Sequence, residues 1–414
     1  MTEIGEIPEE WEVSEIGRYI ENISKKNKDL NIQHVVSVTK YNGIVDSLEY
    51  FDKQVFSKDI SNYKIIKKDE FAYSTIHLNE GAIGYLKHCE NAVLSPMYTV
   101  FKVRNDLVNN YFLYNLLKSN KYINIYEMLG EGSVDRRSSI PFNKFKEIKV
   151  AMPPIEEQEK ISSILSTVDE QIDNIDALIE KNKELKKGLM QTLLTKGIGH
   201  TKFKKTEIGE IPEEWDVIKF FDFVDKIIDF RGRTPKKLGM DWGNGDIQAL
   251  SANNVKMGKI DFSLECYLAS EELYEKWMSG NELKNGDIIM TMEAPLGNVA
   301  LVPDERKYIL SQRVIALKTK DFINNKFMKY MLMSDGVQRQ LETLSTGTTA
   351  KGINQKNLAR VYVKIPMIKE QEKIASILFK IDEKIEEYQN KKQKLEEIKK
   401  GLMQQLLTGK IRVL

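Results

Sequence analysis

The chain has 414 residues, 41% of them hydrophobic and 30% charged, with a formal net charge of +1. That length calls for two to four domains, and the near-zero charge excludes a bulk polycation, so any nucleic-acid surface must be local or supplemented by a partner. Two distant cysteines, Cys89 and Cys266, exclude a disulfide framework and are expected to be reduced and buried.

The N-terminus, Met1 to Glu6, lacks the basic-then-apolar order of a signal peptide. No apolar run reaches the ~18 residues of a membrane span, so a cytoplasmic protein is expected. A short segment, Glu3-Ile4-Gly5-Glu6-Ile7-Pro8-Glu9-Glu10-Trp11, opens the chain. A Trp beside a Gly-and-Pro turn is a packing anchor. The first variable region, roughly 18–150, starts as short strands and turns. His34–Thr39, Phe71–Ile76 and Met97–Val103 read as strands, Tyr41-Asn42-Gly43 as a turn, and Gly81–Gly84 as a tight connection. One helical stretch is expected near 110–129. A small polar loop, Gly130 to Ser139, and a last strand near 148–151 follow.

A long helix is then expected over 153–196. Prolines Pro153 and Pro154 precede it, acids follow them, and lysines gather at the far end, the order favoured by the helix dipole. Ile161, Leu165, Val168, Ile172, Ile175 and Ile179 alternate in fours and threes, which is a heptad seam. Gly188 lies inside the pattern and marks either close packing or a local break. Residues 197–206 read as a solvated, lysine-bearing linker whose glycines end the helix.

The plan then repeats. Glu207 to Trp215 restates Glu3 to Trp11 at an offset of 204. A second variable region, about 218–363, carries strands at Asp287–Met292 and Leu310–Lys318, a helix over 325–344, and a small polar loop at 345–352. A second long helix begins near Pro366. Its seam holds Ile374, Leu378, Ile381, Ile385, Tyr388 and Leu395, and Gly401 stands where Gly188 stands in the first. Gln158 and Gln371 are 213 positions apart, as are Gly188 and Gly401, so the second variable region is nine residues longer. Two matched heptad helices predict a mutual coiled coil. The expected domains are 1–152, 153–196 (helix), 197–206 (linker), 207–365 and 366–414 (helix and tail).

No Gly-rich loop ending in Gly-Lys-Ser/Thr is present, and no Asn-Pro-Pro-aromatic or Asp-Pro-Pro-aromatic signature of an amino-methyltransferase. His34, His77, His88 and His200 lack metal spacing, so no metal site is expected. The positive signal is a set of loops that mix donors with small residues. They are Lys40-Tyr41-Asn42, Arg136-Arg137-Ser138, Arg231 and Arg233 with Lys236 and Lys237, Asn253-Asn254 with Lys256, and Thr348-Thr349 with Lys351. Arg reads guanine bidentately, Asn or Gln reads adenine, and Lys, Ser and Thr hold phosphates. These residues form the candidate DNA-binding set. Trp11, Trp215, Leu165, Ile172, Ile179, Leu378, Ile385 and Leu395 form the candidate set for partner docking and the coiled coil.

The whole chain resembles the specificity subunit of a Type I restriction–modification system. The resemblance rests on Ile-Pro-Glu-Glu-Trp opening each half, Pro-Pro-Ile-Glu-Glu-Gln-Glu-Lys-Ile opening the first long helix, and Lys-Gly-Leu-Met-Gln-Gln-Leu-Leu-Thr-Gly-Lys-Ile-Arg-Val closing the chain. Arg233-Thr234-Pro235 with Trp242 to Ile247 is also similar to the start of many target-recognition domains. Pro366-Met367-Ile368-Lys369 departs from the usual Pro-Pro-Ile-Glu and leaves the start of the second helix open.

The resemblance implies two α/β (α+β) target-recognition domains, each reading one half of a bipartite double-stranded DNA site. Between them, two helices would form an antiparallel coiled coil with internal pseudo-two-fold symmetry, a ruler that also docks two modification subunits. It implies no catalysis and no cofactor on this chain. S-adenosylmethionine, ATP and Mg would sit on the modification and, where present, restriction subunits. Two other readings stay open. A self-contained DNA methyltransferase or nuclease would bind S-adenosylmethionine or cleave DNA alone. A non-DNA coiled-coil adaptor would show no preference among DNA sequences.

Overall fold

A computed structural model describes residues 6–104, 106–130, 139–347 and 350–413. It divides into two compact units. Unit one is Met1–Asp176 with Asn390–Leu414, and unit two is Ala177–Gln389. The division cuts both long helices instead of setting them apart, because each half-helix packs into the core of its own unit.

Unit one is built on a four-stranded antiparallel sheet in the order Ile20–Ile23, Tyr98–Val103, Phe71–Ser74, Ile83–Tyr85. Every residue of Phe71–Ser74 is buried. Alternate side chains on a strand point to opposite faces. Phe71 and Tyr73 enter one core and Ala72 another, so an unbroken apolar run is what a sheet covered on both faces needs. Phe71 stacks on Phe101 at 5.1 Å, and Tyr73 on Phe145 at 4.7 Å. Unit two repeats the sheet in the same order: Val224–Asp229, Val314–Thr319, Ile288–Met292, Leu296–Leu301. Again the alternation divides Ile288 and Met290 from Ile289.

In each unit an antiparallel ladder ties the opening Trp segment to the strand that leads into a long helix. It pairs Glu12–Glu15 with Lys149–Met152 in unit one, and Asp216–Lys219 with Tyr362–Ile365 in unit two. The units diverge in their second layer. Unit one carries a hairpin, Val36–Thr39 with Gly43–Asp46, and a strand pair, Lys64–Lys67 with Asn91–Leu94. Unit two has a three-stranded sheet in the order Leu268–Ala269, Ile247–Leu250, Tyr308–Leu310.

Three local expectations change. The single helices expected over 110–129 and 325–344 are each two, Asn110–Leu117 with Asn120–Gly130, and Asn325–Met333 with Asp335–Leu344. At the breaks the Ser119 hydroxyl donates to the Leu116 carbonyl (2.7 Å) and the Ser334 hydroxyl to the Met331 carbonyl (2.6 Å). A serine that bonds back to the preceding turn competes with the helix. Ile83 and Gly84, expected within a tight connection, belong to a strand. The linker is not simply solvated, since Phe203–Thr206 pairs with Gly209–Pro212 as a hairpin. Both cysteines are free and half-buried.

The long helices run Ile155–Lys196 and Ile368–Leu406. At ~1.5 Å per residue each is roughly 60 Å long. Their packing is antiparallel within each unit. In unit one Leu406 and Leu407, at the end of the second helix, share a core with Ile161 and Leu165 near the start of the first. In unit two Leu193 and Leu194 share a core with Ile374 and Leu378. Ile179 is buried, whereas Ile172, Ile385 and Leu395 are half-buried. Neither Gly188 nor Gly401 is a break or a close contact; an added Cβ would meet nothing within 4 Å at either.

Nine buried or half-buried tyrosines hold their phenols above the ordinary value, chiefly through burial. Tyr114 and Tyr308 are pushed up to about 12, and Tyr73, Tyr122 and Tyr126 rise further. In the unfolded chain they ionise near ~10. Their stabilisation is therefore complete below that pH and is lost as pH rises toward the folded values. A phenolate absorbance titration is expected to have two phases. Solvent-exposed phenols make up the first, and the buried set appears only with unfolding.

Candidate nucleic-acid interface

The two units hold their long helices by the same device. In unit one, Gln158 is buried at the root of the first helix. Its amide donates to the carbonyls of Leu107 (3.2 Å) and Pro153 (2.9 Å) and accepts from the Asn109 N–H (2.9 Å). In unit two, Gln371 donates to Phe322 (3.0 Å) and Pro366 (2.9 Å) and accepts from the Asn324 N–H (2.9 Å). Asn109 and Asn324 in turn cap the helices that lie over each sheet.

The residue before each glutamine receives the tryptophan. Trp11 Nε1 donates to Glu157 at 3.1 Å, and Trp215 Nε1 to Glu370 at 3.0 Å. Arg412 of the C-terminal tail completes the first site with two bonds to Glu157, at 2.7 and 2.9 Å, and a third to Glu10. His200 completes the second, 3.0 Å from both Glu370 oxygens. The departure at Met367 and Lys369 leaves this device intact, since both are exposed. Trp11 and Trp215 are 4% and 0% exposed. They are therefore internal pins, not the partner-docking surface expected of them. Replacing Trp215 with Phe, which removes the indole donor to a charged acceptor together with part of a fully buried ring system, is expected to cost at least about 1–3 kcal/mol, read as a shift in denaturant midpoint.

Of the candidate DNA-binding residues, Lys40, Tyr41 and Asn42 form the tip of the unit-one hairpin and are exposed, Tyr41 by 75%. The Lys40 ammonium lies 5.4 Å from the Tyr41 ring centre. The tip is held from beneath: Lys118 Nζ donates to the carbonyls of Lys40 (2.9 Å) and Tyr41 (3.1 Å). Gly84 permits the hairpin to sit on the sheet edge, because a Cβ there would lie 2.7 Å from the Ile44 nitrogen.

Unit two treats its candidates differently. Arg231, expected as a free donor, is clamped by Asp229 through Nε (2.9 Å) and Nη2 (2.6 Å), and Gln355 holds the same carboxylate. Arg233 lies 4.3 Å above the Phe230 ring and donates to the Trp277 carbonyl. Both guanidiniums are thus committed within the protein. Lys237 donates to the Gly232 carbonyl, while Lys236 is exposed. Asn254 is 1% exposed and bonds Ser251, Asp261 and Leu264, which makes it a loop post without access to a base. Asn253 is exposed and Lys256 half-buried. Lys351 pairs with Glu342 at 2.6 Å on the surface. Arg136, Arg137, Ser138, Thr348 and Thr349 lie outside the described residues.

Sequence reasoning missed Asp169 and Asp382, which stand 213 positions apart. Asp169 accepts from the Tyr111 hydroxyl and pairs with Lys399 of the other long helix at 2.6 Å. Asp382 accepts from Tyr330 (2.6 Å) and pairs with Lys186 (2.6 Å). Lys186 and Lys399 are again 213 apart. Each unit therefore joins its sheet-covering helix and both long helices at one carboxylate. The signal was present as identical polar residues at matching positions of the two seams.

The family described as Type I restriction modification DNA specificity domain matches residues 8–186 and 212–397, one copy for each half. The chain belongs to this family. It is 31% identical to the type I restriction enzyme MjaVIII specificity subunit of Methanocaldococcus jannaschii, over 98% of this chain and 94% of that one. A second protein of that organism, provisionally described as the type I restriction enzyme MjaX specificity subunit, is 32% identical over 100% and 96%. Among solved structures, the type I restriction–modification S subunit from M. genitalium has the same fold, with a TM-score of 0.56 at 16% identity and coverage of 98% and 99%.

Proposed function

We infer that this chain is the DNA-reading subunit of a Type I restriction–modification enzyme, with each unit reading one half of a bipartite site. The observation that carries this is the duplication itself. One sheet topology and one Trp–Glu–Gln root appear twice, while the second layers and exposed tips differ between the halves. A framework kept constant around divergent edges is what two readers of different half-sites on a common mount require. Half-site spacing then becomes a matter of geometry, as for dimeric DNA readers.

The exposed hairpin tip at Lys40, Tyr41 and Asn42 is the favoured contact in unit one. Lys236, Asn253 and Lys256 are favoured in unit two. Arg231 and Arg233 act as braces beneath that edge. The long helices receive two modification subunits. Leu185 and Ile398, 213 apart and each 52% exposed, are matching apolar points for two copies of one partner. Methyl transfer, ATP-driven steps, S-adenosylmethionine, ATP and Mg belong to those partners and to restriction subunits.

Methylation mapping tests the reading. The chain is co-expressed with its modification subunit and the host DNA is sequenced for N6-methyladenine. A split motif around an undefined spacer is expected. A continuous motif removes the two-reader model, and S-adenosylmethionine binding by the lone chain favours a self-contained enzyme.

A further inference from the structure

A cleft of ≈ 570 Å³ lies within unit one, between the helices that cover its sheet and the end of the second long helix. Its walls carry five lysines: Lys118, Lys121, Lys399, Lys400 and Lys410. One acid, Glu396, lines it, and that carboxylate sits 3.9 Å from Lys392. Lys399 is paired with Asp169. Lys400 and Lys410 are exposed and make no ion pair among the described residues. In a chain with net charge +1, such a local surplus is a focused positive field.

The concentration is costly to the protein. Burial, with Lys399 nearby, lowers the Lys118 ammonium to about 8. Burial also lowers Lys121. An anion seated between them offsets that burial and, at Lys118, the repulsion from Lys399. The exposed hairpin tip stands at the rim, where Tyr41 contributes to the lining and Lys118 holds its carbonyls.

Unit two places its lysines differently. The matching serine bonds at Ser119 and Ser334 set the alignment of the two helix breaks, so Lys118 corresponds to Met333, Asn120 to Asp335 and Lys121 to Gly336. On the long-helix side Glu396 and Lys410 correspond to Lys183 and Gly197. The pair Lys118 and Lys121 is therefore a property of the first half alone; the lysines of the first sheet-covering helix of unit two, Lys326 and Lys329, are taken up by the Phe379 ring (4.1 Å) and by Asp382 (3.5 Å).

We propose that this cleft is a phosphate-binding site that grips the DNA backbone beside the half-site read by unit one, so that the two halves hold DNA with unequal electrostatic strength. The proposal rests on the DNA-reading function above. Phosphate contacts carry no sequence information themselves; they fix register and set the salt dependence. Duplex DNA is favoured over a small anion because the lysines continue from the cleft to exposed positions at its mouth, a track and not a closed pocket.

The test is a salt titration of the full chain on a mixed-sequence duplex, comparing parent with the triple variant K121Q/K400Q/K410Q. Each lost phosphate contact is expected to lower the slope of log affinity against log salt by ~0.9. A fall of about 2.7 in slope is expected for the three lysines, with weakening that is equal across duplex sequences. K187Q, at the position of unit two that corresponds to Lys400, serves as the comparison for K400Q alone and is expected to change the slope less. An unchanged slope in the triple variant, with circular dichroism like the parent's, overturns the proposal. If the parent binds no duplex, the DNA-reading function fails separately, and tripolyphosphate binding by calorimetry decides the site. Binding lost in the triple variant keeps an anion site, and no binding by the parent removes it.

Discussion

Replacing Asp382 with Ala is expected to destabilise unit two by roughly 3–5 kcal/mol, the range for a buried charge left without its partner. The reason lies in what surrounds it. Lys329 is 5% exposed, and its ammonium is 3.5 Å from Asp382. Burial already holds the Lys329 ammonium below its ordinary value, and Asp382 is the main group opposing that shift. Without the carboxylate, Lys329 and Lys186 face each other across the site with no counter-charge, and the Tyr330 hydroxyl loses its acceptor. Asp382→Asn keeps the shape and a hydrogen-bond acceptor, so it separates charge from packing. It is expected to fall between Ala and wild type. Hydrogen exchange is the suitable measurement, because a chain of two units does not promise a single two-state transition. Faster exchange should concentrate in Asn325–Met333 and in the second long helix near Asp382. Uniform exchange across both units would mean the carboxylate has no local structural role.

Asp382 also illustrates what the sequence did and did not disclose. The long helices were legible because a heptad seam depends only on spacing along one element, and the duplication doubled that signal. The strands at Phe71 and Ile288 were legible because both faces are covered, leaving runs with no polar interruption. The helix breaks at Ser119 and Ser334 were not legible, since a serine inside an apolar stretch bonds back to its own turn only when tertiary packing favours it. The candidate interface was less legible still. Arg231 and Arg233 looked like free donors because their partners, Asp229 and the Phe230 ring, are neighbours whose side-chain directions a sequence does not specify. Asn254 looked like a base reader, yet its amide is consumed by carbonyls seven and ten residues away. None of the lysines of the unit-one cleft stood among the candidate DNA-binding residues that the sequence singled out. Only the fold brings Lys118 and Lys121 to Lys399 and Lys400, across nearly three hundred positions of chain.

The glutamine at each helix root should be the least replaceable polar side chain of its unit. Gln371 is 0% exposed and Gln158 1%. Each satisfies two carbonyls and one backbone N–H, from two separate stretches of chain. Truncation to Ala leaves these three groups without partners in a buried site, at about 1–3 kcal/mol for each. Water entering the space offsets part of that loss, so a net cost of roughly 3 kcal/mol is expected for Gln371→Ala. Gln371→Glu is nearly isosteric, yet it sets a carboxylate against the carbonyls of Phe322 and Pro366. It should be no better than Ala at neutral pH and should recover as pH falls and the carboxyl gains a donor proton. The functional consequence follows from what the glutamine joins. The Asn324 cap orients the helix over the sheet, and the sheet carries the reading edge. Gln371→Ala is therefore expected to lower methylation at the half-site read by unit two and to broaden its base preference, while Gln158→Ala does the same for the other half. Methylome mapping of both variants checks this. Equal loss of both half-sites from either change would show that the root supports the long helices alone and leaves the readers unaffected.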